Sequence, residues 1–368
     1  MRFTLTAAVM LGLLVSLACA VETGRPRPHM YTTAEAALEH DPDFIVQGEY
    51  TGTVRVGEDS RRIGIQVIAL GNGQFRAVRY EGGLPGDGWG PLEPEDADRQ
   101  AGDTPRLGGQ EPAFINPRLE HKPQQRGPRS QAETQRDGDD IIFRHDEWVA
   151  TWQPDALVIT DAEGRRLGRL EKVQRQSPTL DQDPPDGATV LFDGSTAEHW
   201  HRGRIVLDEL LFRGVTSREA FGRKYLHLEF RLPYMPRARG QGRANSGVYL
   251  QRRYEVQILD SFGLDGTAAE AGGIYAVRAP DVNMAFPPLT WETYDIYFKP
   301  PQFDNGRKVA NARMTVYHNG VLIHDDVEVP RQTGGGRPEG PDPGPIYLQD
   351  HGEPVVFRNV WLVPLDEQ

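Results

Sequence analysis

Two neighbouring runs of the chain, 245–251 and 254–260, alternate polar and apolar side chains with the period of two that is typical of β-strands. The apolar side chains would face a core. The opposite face would then carry a carboxyl group, two amides and a phenol: Glu255, Gln251, Gln257 and Tyr249. Such a face suits a sugar, because sugar hydroxyls need paired donors and acceptors and the C–H face of a sugar stacks on aromatic rings. A solvated outer face explains the pattern equally well.

A third run, 344–352, repeats this alternation and adds a histidine. Tyr347, Gln349 and His351 lie on one side of the predicted strand, with His351 at its end. An imidazole there can titrate near neutrality and act as a base or a metal ligand, but a solvated or hydrogen-bonded histidine is the commoner occurrence. Both interpretations stay open on the residues alone.

The sequence lacks the short motifs of several common enzyme classes. It has no His-Glu-x-x-His, no Gly-x-Ser-x-Gly, no phosphate-binding loop and no dinucleotide fingerprint. Zinc-hydrolase, serine-hydrolase and nucleotide chemistry are therefore disfavoured.

Composition indicates two all-β domains. The 368 residues are enough for two domains, each with its own core. Gly 40 and Pro 29 favour many short strands joined by turns. Lys and Arg number 41 against 53 Asp and Glu, and the net charge of -12 disfavours nucleic acid and anionic lipid as partners.

The first twenty residues have the features of a signal peptide. Arg2 precedes an apolar stretch, and Ala18-Cys19-Ala20 resembles a cleavage site, so we expect a mature chain that begins near Val21 and is periplasmic or secreted. Cleavage would remove the only cysteine, Cys19; the alternative is a lipid anchor on Cys19 itself. No later run approaches the length of about 20 apolar residues that a membrane span requires, so no insertion beyond the signal peptide is expected.

The pattern of strands and turns divides the rest of the chain. We predict a β-rich N-terminal domain over 30–176 with an irregular insert at about 82–138, a linker over 177–187, and a second domain over 188–366. In the second domain, 225–232 alternates cleanly and predicts a half-buried strand with His227 on its polar face. An antiparallel sandwich is the expected architecture.

Several segments of the second domain, in this order, resemble the 3-keto-disaccharide hydrolase family, formerly catalogued as a domain of unknown function. The matching segments are 191–194 with Trp200, 245–263, 272–275, 291–295, 311–325 and 344–361. The resemblance covers about half of the chain and leaves the N-terminal domain unexplained. Family members often carry Lys-Pro-Pro-Gly before the tryptophan, where this chain has Ala-Phe-Pro-Pro-Leu-Thr at 285–290.

The resemblance implies a concanavalin A-like jelly roll that cleaves glycosides whose C3 hydroxyl has been oxidised to a ketone. A C3 ketone acidifies the C2 proton, so a modest base can form an enolate and expel the C1 substituent, after which water adds. The resemblance leaves two routes open, direct hydrolysis and elimination followed by rehydration, and both give the product of hydrolysis.

The resemblance also suggests roles for the polar residues singled out above. His351 or Glu255 would transfer the proton. The candidates for binding the sugar are Asn245, Tyr249, Gln251, Gln257, Asp260, Tyr347, Gln349 and Asp350. The resemblance establishes no cofactor, but a divalent metal could stabilise the enolate oxygen, with Glu255, Asp260 and His351 as candidate ligands.

Two binding functions compete with the enzyme hypothesis. The fold also hosts lectin-like modules, which need aromatic rings and amides but no titrating group at the base of the pocket. Convergence of His351 and Glu255 in one pocket would favour the enzyme. Alternatively, the N-terminal domain could bind sugar through Tyr80, Trp148 and Trp152, although aromatic residues of this kind more often belong to a core.

Overall fold

The computed structural model describes residues 29–89, 116, 118–119 and 129–365. The predicted signal peptide, 1–20, lies outside these residues. The predicted all-β fold class is confirmed, since the described chain is almost entirely strands and turns in antiparallel sheets. None of the helices in the described ranges is both long and apolar enough to cross a membrane.

The N-terminal domain begins with a short helix and continues as one sheet. The helix, α1 (Ala34–His40), starts at Thr33, whose hydroxyl accepts a hydrogen bond from the amide of Ala36. The strands are β1 (Gly48–Val56), β2 (Asp59–Gly71), β3 (Gln74–Glu81), β4 (Arg129–Gln135), β5 (Ile142–His145), β6 (Trp148–Gln153), β7 (Ala156–Thr160) and β8 (Arg166–Val173).

These eight strands form an antiparallel sheet in the order β4-β3-β2-β1-β8-β7-β6-β5. The two end strands lie against each other, and the Thr134 hydroxyl donates to the Ile142 carbonyl at 2.8 Å, so the sheet curls toward a barrel. Tyr80 and Trp148 are buried, and the Trp152 ring nitrogen donates to the Tyr50 hydroxyl. These aromatic side chains are therefore packing and bonding groups of the fold.

Parts of the predicted insert and of the predicted linker are ordered in the structure. Strand β4 lies inside the range 82–138. Its sequence has no apolar periodicity, and the strand is held by its antiparallel pairing with β3. Residues 177–182 pack on the second domain, and Ser177 and Thr179 are buried there.

The second domain is a sandwich of two antiparallel sheets with a small hairpin and one 3-10 turn, η1 (Gly240–Gly242). Its strands are β9 (Thr189–Phe192), β10 (Trp200–His201), β11 (Ile205–Val206), β12 (Leu210–Phe212), β13 (Val215–Phe221), β14 (Lys224–Arg231), β15 (Ser246–Leu250), β16 (Tyr254–Ile258), β17 (Trp291–Lys299), β18 (Gln302–Asp304), β19 (Arg307–Ala310), β20 (Ala312–His318), β21 (Val321–Val329), β22 (Gly344–Leu348) and β23 (Val356–Pro364).

The first sheet has the order β10-β13-β22-β15-β16. The second has the order β11-β12-β23-β14-β17-β20-β21, with β9 beside β23. Alternate apolar side chains of both sheets meet in one core, including Val248 and Val256 of the first and Leu226 and Ile296 of the second. The polar side chains of the first sheet therefore point away from this core.

The two domains share part of this core. Ile68, Val78 and Tyr80 of the barrel join the apolar cluster of the sandwich. Gly263 has φ +73, and a Cβ there would lie 2.4 Å from Cδ1 of Ile68, so only a glycine allows this close approach. The barrel thus fixes the loop that follows β16.

Candidate functional site

Three adjacent strands of the first sheet bring the predicted site residues together. In the β15–β16 hairpin, Tyr249 pairs with Glu255 and Gly247 with Gln257, and Tyr249 also pairs with Tyr347 on β22. Because their apolar neighbours face the core, these side chains share the outer face of the sheet. The alternation seen in the sequence therefore corresponds to one continuous polar face.

Glu255 is the central group of this face. Its side chain is buried and accepts a hydrogen bond from the Tyr249 hydroxyl at 2.7 Å, while its backbone amide donates to the Thr333 hydroxyl at 2.9 Å. A Cβ on Gly247 would lie 2.1 Å from Oε1 of Glu255. The glycine therefore makes the room that the carboxyl group occupies.

The environment of Glu255 brings its titration close to neutrality. Burial raises the pKa of Glu255 to about 7, although the hydrogen bond from Tyr249 opposes the rise. A carboxyl group with this pKa can accept and release a proton at physiological pH, which is the property required of a general acid or base.

Two amide side chains belong to the hydrogen-bond network that includes Glu255, and each leaves an acceptor atom without a partner in the described residues. The Asn245 amide nitrogen donates to Oε1 of Gln241 at 3.0 Å, and the Gln349 amide nitrogen donates to the Tyr249 hydroxyl at 3.3 Å. Within the described ranges, Oδ1 of Asn245 and Oε1 of Gln349 are buried and accept no hydrogen bond. Unsatisfied buried acceptors of this kind favour a ligand that brings hydroxyl donors.

A glycine-rich loop and a tyrosine pack beside Tyr249 and Glu255. The Tyr249 hydroxyl also lies within 2.8 Å of the Gly334 carbonyl oxygen. A Cβ on Gly334 would lie 3.1 Å from the ring of Tyr275, whose backbone amide donates to the Glu255 carbonyl. Tyr275 is therefore packed beside the candidate site.

Tyr347 lies at the half-exposed edge of the face. The Arg252 guanidinium lies 4.0 Å from its ring centroid, and the Tyr249 ring lies 5.6 Å away. Its hydroxyl accepts a hydrogen bond from the backbone amide of Asp350 at 3.2 Å. The aromatic ring therefore borders the polar face and is held by its neighbours.

Three other predicted residues are engaged in contacts within the fold. Asp260 is buried and accepts from Nε of Arg243 at 2.7 Å. Gln251 donates to the Phe221 carbonyl at 3.2 Å. Asp350 is exposed and pairs with the Arg213 guanidinium. None of these three contacts is with Glu255.

His351 does not converge on Glu255. It lies in the turn after β22 with 46% of its side chain exposed, and its Nδ1 is 3.5 Å from the Glu353 carboxylate. In the part of the chain that the structure describes, no hydrogen bond joins His351 to Glu255. No group of three or more metal-binding side chains occurs among these residues either, so Glu255, Asp260 and His351 do not form a metal cluster.

Sequence reasoning missed two residues of the site. Gln241 lies in the 3-10 turn, in a Gly- and Arg-rich stretch without strand periodicity, and no signal in the sequence indicated it. Tyr275 belongs to the segment 272–275, which the family resemblance covers but the strand pattern does not single out. Both reach the site through loops, whose paths the strand pattern does not specify.

The fold and this face define a carbohydrate-active, hydrolase-like β-sandwich domain. Residues 187–363 match the family model of the 3-keto-alpha-glucoside-1,2-lyase-like domain, and this half of the chain belongs to that family. The predicted resemblance is confirmed.

Solved structures of Parabacteroides distasonis ATCC 8503 proteins, each described as a “putative glycosyl hydrolase”, are similar to this chain. One is 31% identical with a TM-score of 0.46, and the alignment covers 49% of this chain and 85% of that chain. A second is 17% identical with a TM-score of 0.36, covering 49% and 95%. A third is 19% identical with a TM-score of 0.35, covering 48% and 99%. A search of curated proteins found no significant match.

Proposed function

We propose that the protein is an exported enzyme that cleaves the glycosidic bond of 3-keto-glycosides, with Glu255 as the proton-transfer group. The observation that carries the proposal is the buried Glu255 carboxyl, whose pKa burial raises to about 7, on a face of amides and tyrosines. Membership in a family of lyase-like domains for 3-keto-glucosides supports this substrate class.

The proposed reaction needs one base and no protein nucleophile. The ionised Glu255 carboxylate takes the C2 proton, and the electron pair of the C2–H bond forms an enolate with the C3 ketone. When the ketone reforms, the electrons make a C1=C2 double bond, and the C1–O bond breaks. The departing alkoxide takes a proton from solvent or an acid group. Water then adds its hydroxyl to C1 and a proton to C2, which completes a net hydrolysis.

The unsatisfied acceptors explain how the sugar would be held. Oδ1 of Asn245 and Oε1 of Gln349 would accept hydrogen bonds from sugar hydroxyls, and these bonds would compensate for the burial of the two oxygen atoms. The half-exposed ring of Tyr347 would border the sugar at its edge, because Arg252 already covers one face of the ring. In this proposal three of the predicted sugar-binding residues have a structural role instead, because each bonds to another part of the fold: Gln251, Asp260 and Asp350.

The test is a turnover assay on a panel of 3-keto-glucosides and their unoxidised parents, with and without a chelator. We expect the native protein to cleave only the oxidised sugars, Glu255→Gln to lose turnover, and His351→Ala to retain most of it. Full activity of Glu255→Gln would remove the site assignment. Loss of turnover in the presence of the chelator would indicate that the reaction requires a divalent metal ion.

A lectin-like binding module is the second candidate, because His351 does not join Glu255 in the described site. The same panel decides between the two. Binding of sugars by the native protein with no cleavage of any oxidised substrate would favour the module.

Export is tested on the mature protein. Mass spectrometry of the chain recovered from its native host should show an N-terminus near Val21 in the periplasm or medium. A diacylated Cys19 would indicate the lipid anchor, and an intact Met1 would contradict both forms of export.

A further inference from the structure

The Gln257 amide lies between two sets of oxygen atoms and cannot satisfy both at once. One end of the amide is 2.7 Å from the Ser246 carbonyl oxygen and 3.2 Å from Oε1 of Glu255. The other end is 3.0 Å from Oε1 of Gln241 and 3.5 Å from the Ala269 carbonyl oxygen. All four neighbours are oxygen atoms, while the amide has one donating and one accepting end.

The orientation of Gln241 is fixed by its own partners. One end of its amide lies 2.7 Å from the Ala269 carbonyl oxygen, so that end must be the donating nitrogen. The other end is therefore the oxygen, and it accepts from the Asn245 amide nitrogen at 3.0 Å. Gln241 consequently presents an acceptor, and only an acceptor, to Gln257.

Each orientation of Gln257 leaves one unfavourable contact between oxygen atoms. With its nitrogen toward Gln241, its oxygen faces the Ser246 carbonyl. With its nitrogen toward Ser246, its oxygen faces Oε1 of Gln241. The oxygen–oxygen contact is 2.7 Å in the first orientation and 3.0 Å in the second, so neither orientation is free of repulsion, and Oε1 of Glu255, at 3.2 Å, is the neighbour whose protonation can shift the balance.

Glu255 has opposite requirements in its two protonation states. An ionised carboxylate needs a donor, which the Gln257 nitrogen supplies when it faces Ser246. A carboxyl group that is protonated on Oε1 needs an acceptor there, while Oε2 continues to accept from the Tyr249 hydroxyl. The Gln257 oxygen supplies that acceptor in the reverse orientation.

We propose that the Gln257 amide reverses its orientation with the protonation state of Glu255, so that the carboxyl group keeps a hydrogen bond to Gln257 before and after it takes a proton. Gln241 is the residue that holds the two orientations near balance. Gln257 is thus a positioning residue for Glu255 and not a sugar ligand. This inference rests on the proposed function, because it assigns the reversal to the step in which Glu255 acts as base.

Two variants should move the titration of Glu255 in opposite directions. Gln241→Leu removes the oxygen that opposes the donating orientation, so the Gln257 nitrogen should face Glu255 permanently and lower its pKa. Gln257→Met removes the donor to the carboxylate and should raise the pKa. Each shift should be about one pH unit, the size expected for one hydrogen bond to a charged group.

The measurement is an infrared pH titration of the carboxylic acid C=O stretch in the ligand-free protein, with the Glu255 band identified by its loss in Glu255→Gln. Gln251→Met is the matched control, because that amide donates to the Phe221 carbonyl, and it should leave the band unshifted. In the active enzyme, the acidic limb of the kcat/KM profile should follow the same two shifts.

Shifts in the same direction, or no shift in Gln241→Leu, would overturn the amide reversal. If Gln257→Met does not fold, the sign of the Gln241→Leu shift alone decides. Because the infrared titration needs no substrate, its outcome is separate from that of the turnover assay. A native protein without turnover would overturn the proposed function even if both shifts were found.

Discussion

The two sheets of the sandwich each carry a buried carboxyl group on their outer face, and the two groups have opposite surroundings. Glu255, on the first sheet, accepts from the Tyr249 hydroxyl and has the Gln257 amide 3.2 Å from its Oε1. Asp295, on the second sheet, accepts from the Tyr225 hydroxyl and from Thr179 at 2.7 Å, and lies 2.7 Å from Nδ1 of His227. The Glu255 carboxyl group therefore has few hydrogen-bond donors around it, whereas the Asp295 carboxyl group has three.

The difference appears in the titration of the two regions. Burial alone would lower the pKa of His227, but the Asp295 carboxylate, with help from Glu229, raises it to about 9. His227 therefore stays charged at neutral pH as part of a buried ion pair, whereas Glu255 titrates near neutrality. A buried histidine beside a carboxylate resembles catalytic machinery, but saturation of the carboxylate indicates a structural role.

The largest expected effect is on activity, which should fall when Glu255 on the first sheet is replaced but not when His227 on the second sheet is replaced. Glu255→Gln should reduce kcat for a 3-keto-glucoside by about 10²- to 10⁴-fold, the range typical of a lost general base. His227→Gln should leave the kcat of the folded enzyme within a few-fold of native, because it lies on the opposite sheet. Steady-state kinetics on both purified variants would check this, and a comparable loss in the two would contradict the assignment of roles.

The second prediction concerns stability. Asp295→Asn should lower the free energy of unfolding by about 3 kcal/mol or more, because it leaves a buried imidazolium without its partner. Urea denaturation at pH 7 measures the change. Glu133→Gln, which breaks an exposed ion pair with Arg76, is the control and should cost less than about 1 kcal/mol. Equal effects would mean that the Asp295 network contributes no more than a surface pair.

The third prediction concerns pH. A folded pKa above the unfolded value means that the folded state binds the extra proton, so stability is full below the unfolded pKa and is lost as pH rises through the folded one. For Glu255 the window runs from 4.5 to about 7, and for His227 from 6.5 to about 9. Across each of these pH ranges the free energy of unfolding should fall by up to about 3 kcal/mol.

Urea denaturation across this pH range would resolve the two windows. Glu255→Gln should abolish the loss of stability in the lower pH range and should be more stable than the native protein at pH 8. The loss of stability in the upper pH range, which belongs to His227, should be unchanged. A variant that is no more stable than native at pH 8 would show that the buried carboxylate costs the fold nothing.

The smallest expected effect concerns sugar binding. Gln349→Ala should raise the KM for a 3-keto-glucoside by about 3- to 10-fold with little change in kcat, as expected for the loss of one neutral hydrogen bond. Gln182→Ala, beside the saturated network of the second sheet, is the matched control and should leave KM unchanged. A fall in kcat with KM unchanged would indicate that Gln349 acts on the transition state.

The strands and their alternation could be predicted from the sequence, because the period of two is local. A local pattern cannot report contacts from distant parts of the chain, and the interpretation of 225–232 as half-buried was therefore wrong. His227 and Glu229 are buried, since residues 177–182 pack over that face, and no local pattern reports such a long-range contact. The sequence could place Glu255 on a polar face, but not show that loops bury it.

His351 shows the limit of strand periodicity for predicting a site. The alternation put it on the same side as Tyr347 and Gln349, but β22 ends at Leu348 and the chain turns. The proposed function therefore assigns proton transfer to Glu255, while the roles of His351 and of the sugar-binding candidates stay predictions.

The apolar contact between the barrel and the sandwich has a consequence for folding cooperativity. Because Ile68, Val78 and Tyr80 complete a cluster that belongs mainly to the other domain, neither domain can melt without exposing apolar surface of its neighbour. Calorimetry should therefore show one transition for the whole chain. The sandwich isolated by proteolysis should bind hydrophobic dyes along the seam where the barrel was removed.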